Sequence, residues 1–384
     1  MTNLRETSNR SAIIACAMRI LAIDVGTGTQ DILLFDSGQP IENALQLIVP
    51  SPTQIAAGRI RRATETGAPV FLTGVIAGGG PCHWALEDHL RAGAKAFATP
   101  HAAATFDDDL TNVEGMGVSL VTEDESRGLK AERIVLGDLD LEAVRSALSA
   151  FDVDTRFDGL ALGCLDHGAS PPGYSDRLFR FDHLRRVVEA RNDLRGFAFL
   201  PHELPEYLTR ARALVASADI DGPVVFLDTG PAAALGALQD PLVGAHDEQL
   251  LLNLGNMHTL AFHVRGTSIL SLYEHHTGEV TGELIEDFTE RLAAGTLAHE
   301  EVFGSKGHGV FYANGGGALK PFVAVTGPQR SKIRGSRLEP YFASPHGAMM
   351  VAGCFGLLWA YAEKHPEYRD EVLMALGVRA APVG

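Results

Sequence analysis

An acidic residue followed closely by small, hydrogen-bonding residues is the first place where this chain could do chemistry. ILAIDVGTGTQDILLFD (20–36) puts Asp24 at the end of an apolar run, ahead of Gly26, Thr27, Gly28, Thr29 and Gln30. Glycines let backbone N–H groups converge on a concavity that suits phosphate, and a carboxylate at a strand end can hold the water shell of Mg²⁺. An ordinary hairpin turn reads the same way. LLNLGNMHTLAFHV (251–264) breaks similarly at Gly255 and Asn256, which tolerate positive φ. There His258 and Thr259 offer side-chain donors to phosphate, or His258 is satisfied within its own turn. Near residue 326 an apolar strand ends in Thr326-Gly327-Pro328, where glycine would let a purine ring lie against the backbone. Asp228 closes PVVFLD and is a candidate base or metal-water ligand, or a cap for the helix that follows.

A second constellation lies in GVIAGGGPCHWALEDH (74–89) and GCLDHGASPPGYSDRLFRF (163–181). Both begin where an apolar strand gives way to Gly, Pro and His, the place where open α/β sheets present binding loops. His83, Asp166, His167, Tyr174 and Arg177 are the candidate substrate contacts. Their spacing is not diagnostic of a metal, so polar contact ranks above metal ligation by His83, Asp166 and His167. In EHHTGE, His275, His276 and Glu279 read as a surface or lobe-contact cluster, and NGGGALKP (314–321) as a loop.

The elements that must position these residues alternate β-rich apolar runs with helical patterns, which predicts an α/β protein. Strands are predicted at 20–25, 30–36, 70–74, 132–136, 158–164 and 321–326. Helices are predicted at 83–93, 141–150, 283–293 and from about 347, with a helix-prone block at 181–216. A hairpin is predicted over 249–264. ASADIDG (217–223) reads as a connection, after which a hairpin-then-α/β pattern restarts as a weak internal repeat. Residues 1–17 read as a loose extension, so the organisation expected is 1–17, then a first lobe over 18–222 and a second over 223–384.

The 384 residues suffice for two cores, and the net charge of −16 argues against a nucleic-acid or anionic-membrane surface. No apolar run approaches the roughly 20 residues that span a bilayer. Cysteines 16, 82, 164 and 354 form no metal or cluster spacing, which suits a reducing cytoplasm.

In combination, these segments resemble the actin, Hsp70 and sugar-kinase superfamily. IDVGTGTQD (23–31) resembles its first phosphate motif, VVFLDTGPAAALGAL (224–238) its connecting segment, and LLNLGNMHTLAFHV its second phosphate hairpin. FVAVTGPQRSKI (322–333) resembles its adenosine motif, and SPHGAMMVAGCFGLL (344–358) its second interlobe helix, which can return to the first lobe. The resemblance implies two RNase H-like lobes clamping ATP in their cleft. It implies Mg²⁺ held through water by Asp24 and Asp228, which are also the candidate catalytic residues. Phosphates would be clamped by residues 26–30, 255, 256, 258 and 259, and adenosine by Gly327 and Pro328. A phosphotransferase or other ATP-dependent enzyme acting on a small molecule is implied, or a nucleotide-gated switch acting on a protein partner.

The departures are specific. Asn253 stands where Hsp70-like members place an acid, and Gly230-Pro231 stand where sugar kinases place the catalytic Asp. Asp31, where many kinases carry a basic residue, resembles the hydantoinase and oxoprolinase branch. IDVGTGTQDILLFD, DTGPAAALGAL and GAMMVAGCFGLL further resemble a bacterial and archaeal family labelled pyruvate formate-lyase activating enzyme-like. A radical activating enzyme of that type needs a CxxxCxxC triplet for its iron–sulfur centre, and this sequence has none.

Overall fold

The computed structural model describes residues 17–313 and 320–378. Most of the proposed extension and of the 314–321 loop lies outside them. Among the described residues the strands are β1 (Arg19–Val25), β2 (Thr29–Asp36), β3 (Leu45–Pro50), β4 (Val70–Gly74), β5 (Ala96–Ala98), β6 (Val118–Leu120), β7 (Glu132–Leu136) and β8 (Gly159–Cys164). There follow β9 (Ala198–Phe199), β10 (Val224–Asp228), β11 (Glu248–Leu254), β12 (His258–Arg265), β13 (Ser268–His276), β14 (Gly309–Tyr312), β15 (Phe322–Thr326) and β16 (Tyr341–Phe342).

Two sheets share one plan. The first runs β3-β2-β1-β8-β10-β9 and the second β14-β13-β12-β11-β15-β16. In each, three antiparallel strands are followed by two parallel to the first of the three: β8 and β10 in one, β15 and β16 in the other. This duplicated order is that of two RNase H-like lobes, the actin-like ATPase fold. The inner strands are apolar because both faces are covered; Ile20 through Ile23 are fully buried, as are Leu160 through Leu162.

Residues 52–150 add a third sheet, β6-β5-β4-β7, all parallel, with its own core around Ile60, Leu72, Leu86 and Ile134. The apolar runs at 70–74 and 132–136 therefore belong to an insertion between β3 and β8. Apolarity marks a strand but not the sheet it joins. The helix-prone block at 181–216 resolves into helices Asp176–Ala190 and Thr209–Ala216 with short 3₁₀ turns between.

Two helices couple the lobes. Thr229–Ala237 packs on β11 and β15 of the second sheet, while Ala352–Lys364 packs on β1, β8 and β10 of the first. They cross where a β-carbon on Gly236 would collide with the Ala352 carbonyl, and one on Gly356 with the Ala232 carbonyl. Glycine at both points lets the backbones touch. No helix among the described residues is long and apolar enough to cross a membrane.

Candidate functional site

Where β1 meets β2 and β11 meets β12, the same turn occurs. Gly26 N–H donates to the Thr29 carbonyl and Gly255 N–H to the His258 carbonyl, each at 3.0 Å. Neither glycine uses positive φ, nor does Asn256, contrary to the expectation for the second turn. Glycine is required for closeness instead, since a β-carbon at 26 would lie 3.0 Å from the Thr29 oxygen and one at 255 would lie 2.9 Å from the His258 oxygen. The two bends meet, and a β-carbon on Gly28 would strike the Asn256 side chain. Among the described residues, the N–H groups of Thr27, Gly28, Asn256 and Met257 have no acceptor. Ser51 braces the first bend, its hydroxyl donating to the Thr27 carbonyl at 2.7 Å.

Both bends open onto one cavity of about 1080 Å³, lined also by Gly78–Gly80 of the insertion, by residues 104–110 and by 165–174. Arg210 is the one lysine or arginine on its wall among the described residues, and Asp138 and the Leu165 carbonyl hold its guanidinium at 2.6 and 2.7 Å. The outer rim, with Asp107, Asp108, Asp109 and Asp176, is acidic.

Of the candidate residues, Gly26, Thr27, Gly255, Asn256, His258, His83, Asp166, His167 and Tyr174 line the cavity. Gly28, Thr29, Gln30, Thr259, Gly327, Pro328 and Arg177 do not. Gln30 reaches the Pro50 carbonyl, and Thr259 is buried against Thr277. Gly327, at φ +96°, packs where a β-carbon would strike the Leu254 carbonyl, so its glycine serves the junction with the second hairpin. Arg177 donates to the Phe303 and Gly307 carbonyls and stacks on Phe303. Asp166 accepts from the N–H groups of Gly168 and Ala211, both at 2.8 Å, which fixes its loop. His83 lies 3.6 Å from Glu87, and Tyr174 donates to Asp182 at the exposed mouth.

Asp24 and Asp228 lie behind the wall rather than on it. Asp24 is buried, accepts from the Thr229 hydroxyl at 2.7 Å and abuts Gly353. Burial, followed by the charge of Asp228, pushes its carboxyl up to about 6 against the Thr229 hydrogen bond. Across the ladder, burial and then Asp24 push Asp31 up to about 7. Asp228 caps the N–H of Gly230 and forms a two-pronged ion pair with Arg180, whose Nη2 donates to Oδ1 at 3.1 Å. Both Asp228 oxygens are so engaged, and neither carboxylate lines the cavity, so the pair does not present itself to a hydrated Mg²⁺ there. Asn253, which does line it, carries no charge.

Arg180 gave no signal in the sequence. Wholly buried, it pairs with Asp228 of the first lobe and, through Nε at 3.1 Å, with Glu274 of the second. Burial opposes its charge, but the two carboxylates hold its pKa above the ordinary value. Burial pushes Glu274 up to about 7 despite Arg180. Beside this bridge four histidines converge from both lobes. His167 Nε2 lies 3.1 Å from His258 Nε2, and the rings of His276 and His308 are 4.6 Å apart, with His308 stacked on His167. The metal-capable trio is His167, His258 and His308, without His83 or Asp166. Burial, then Arg180, lowers the His167 pKa to about 3; burial, then His167, lowers those of His258 and His308. His276 packs on His258 and His308 of its own lobe, while His275 is buried against Ser305 rather than at the surface.

Duplicated lobes whose paired turns face one cavity define the actin-like ATPase fold. The chain belongs to the family described as "Putative pyruvate format-lyase activating enzyme (DUF1786)", which matches residues 77–332. Among solved structures it is similar to the ROK hexokinase of Thermus thermophilus (13% identity, TM-score 0.24, covering 66% of this chain and 48% of that one). It is also similar to the Aquifex aeolicus Ppx/GppA family member (13%, 0.20, 71% and 55%) and to nucleotide-free acetone carboxylase (9%, 0.23, 66% and 45%). The matches thus span about half the length of those chains. Among curated proteins none matches.

Proposed function

We propose that this protein is a nucleotide-dependent enzyme acting on a small molecule, with the ATP polyphosphate gripped between residues 26–28 and 255–257. The observation that carries the reading is the pair of equivalent turns in contact, with the acceptor-free N–H groups of Thr27, Asn256 and Met257 on one cavity among the described residues. Backbone N–H groups bind phosphate without side-chain cations, which suits a wall whose single arginine is already paired. Gly79 and Gly80, opening the helix Pro81–Arg91, add N–H groups at the same wall. The substrate would occupy the outer cavity near His83 and Tyr174. Mg²⁺ is assigned no step through Asp24 or Asp228.

A second reading has its own support. With Asn253 uncharged at one superfamily acid position, Gly230-Pro231 at the other, and Asp228 two residues earlier committed to Arg180, neither position offers the cavity a free carboxylate, which favours slow turnover and a nucleotide-gated switch acting on a protein partner. The radical chemistry in the family's description is not proposed. The sequence lacks the CxxxCxxC triplet, and Cys82, Cys164 and Cys354 are separate buried thiols. Such free thiols support a cytoplasmic location. Calorimetric titration with ATP and ADP, with and without Mg²⁺, tests the common claim; absence of binding overturns both readings. ADP release that rises only with a small hydroxyl or amide compound supports the enzyme, and tight binding with slow basal hydrolysis supports the switch.

A further inference from the structure

Histidines brought together from two lobes, one of them without a hydrogen-bond partner among the described residues, ask what would hold them. His167 follows β8 of the first lobe; His258 opens β12, and His308 precedes β14, in the second. The nearest ring nitrogens of the three lie within 4.8 Å of one another. His308 is wholly buried, yet among the described residues neither Nδ1 nor Nε2 has a hydrogen-bond partner. Burying an imidazole with both nitrogens unsatisfied costs free energy that packing alone does not return.

We propose that His167, His258 and His308 form a Zn²⁺-class transition-metal site that bridges the lobes and keeps one coordination position open to the cavity. Ligand nitrogens about 2.05 Å from a tetrahedral Zn²⁺ stand about 3.3 Å apart, close to the 3.1 Å between the Nε2 atoms of His167 and His258. Three neutral imidazoles are the donor set of borderline transition metals rather than of Mg²⁺ or Ca²⁺. His167 and His258 line the cavity and His308 does not, so the open position faces the substrate side. That is the arrangement of a catalytic rather than a closed structural site. The nearby Asp228, Glu274 and Arg180 sum to one negative charge when ionised, which favours a bound cation. Without metal, one of the facing rings donates its Nε2 proton to the other. Binding requires that ring to move its proton to Nδ1, and no proton need leave the protein. Filling the site would tie the first-lobe loop after β8 to the second-lobe hairpin.

The test uses the full chain stripped with a chelator and titrated with Co²⁺ as a spectroscopic probe, then with Zn²⁺ in competition. One Co²⁺ per chain with the intense visible bands of a tetrahedral site is expected, displaced by Zn²⁺. H308A and H258Q should each weaken binding by about 100-fold or more, while H83A, in the cavity but outside the trio, should leave it unchanged. Failure of the wild-type chain to bind Co²⁺ stoichiometrically overturns the proposal, as does binding that survives both H308A and H258Q. Nucleotide titration of the stripped chain is a separate readout, so this inference and the nucleotide reading stand or fall independently.

Discussion

Replacing Arg180 with Met removes the only cation between two buried carboxylates while keeping much of the side-chain volume. Arg180 and Glu274 are 0% exposed and Asp228 is 3%, so water cannot take over the lost contacts. Breaking a buried pair of this kind costs about 3–5 kcal/mol. At about 2–4 °C per kcal/mol for chains of this order of size, the melting point should fall by roughly 6–20 °C. The pH dependence follows from Glu274, whose folded pKa is already pushed by burial to about 7, above the ordinary carboxylate range. Without Arg180 it rises further. A carboxyl with a raised folded pKa contributes stability that is present below its unfolded pKa and lost as pH rises through the folded one. The gap between wild type and Arg180→Met should therefore widen from pH 5 to pH 8. Adding Asp228→Asn and Glu274→Gln should recover most of the loss, because a neutral trio carries no stranded charge. Denaturant unfolding at the two pH values measures this. A gap below about 1 kcal/mol that is flat with pH would refute the buried bridge.

Asp24 and Asp31 give a second pH signature. Both folded pKa values are raised, to about 6 and about 7, so the pair loses stability between pH 4 and pH 7; Asp31→Asn should flatten that slope in denaturant titrations. At the helix crossing, Gly236→Ala should cost about 1–3 kcal/mol by forcing the backbones apart, read by the same titrations. Asn256→Asp puts a negative charge beside the proposed phosphates and should weaken ATP binding at least tenfold by calorimetry, leaving the melting point near wild type.

What the sequence disclosed was local. Gly26 and Gly255 interrupt apolar runs, and such breaks are visible without a structure, as were the strands around them and the order in which they restart. His83, His167 and Tyr174 were legible as loop residues beyond strand ends and do line the cavity. Less accessible was anything set by long-range packing. Asp24 and Asp228 look identical to catalytic acids in a string of letters; only the neighbours Thr229, Gly353 and Arg180 show them engaged. Arg180 stands between Phe179 and Phe181 in a helix that carries several other arginines, and nothing in its spacing distinguishes the one that will be wholly buried. His308 sits 50 positions from His258 and 141 from His167, a separation no motif spans. The strand Ser268–His276 went unseen because its histidines attracted notice as a cluster, whereas their alternation along a strand sends His275 and His276 to different neighbours.

A structure of the protein with a non-hydrolysable ATP analogue tests the central claim most directly. The phosphates should lie within hydrogen-bonding distance of the backbone N–H groups of Thr27, Gly28, Asn256 and Met257, between the two turns. An analogue bound elsewhere, or with its phosphates reaching only one turn, would contradict it.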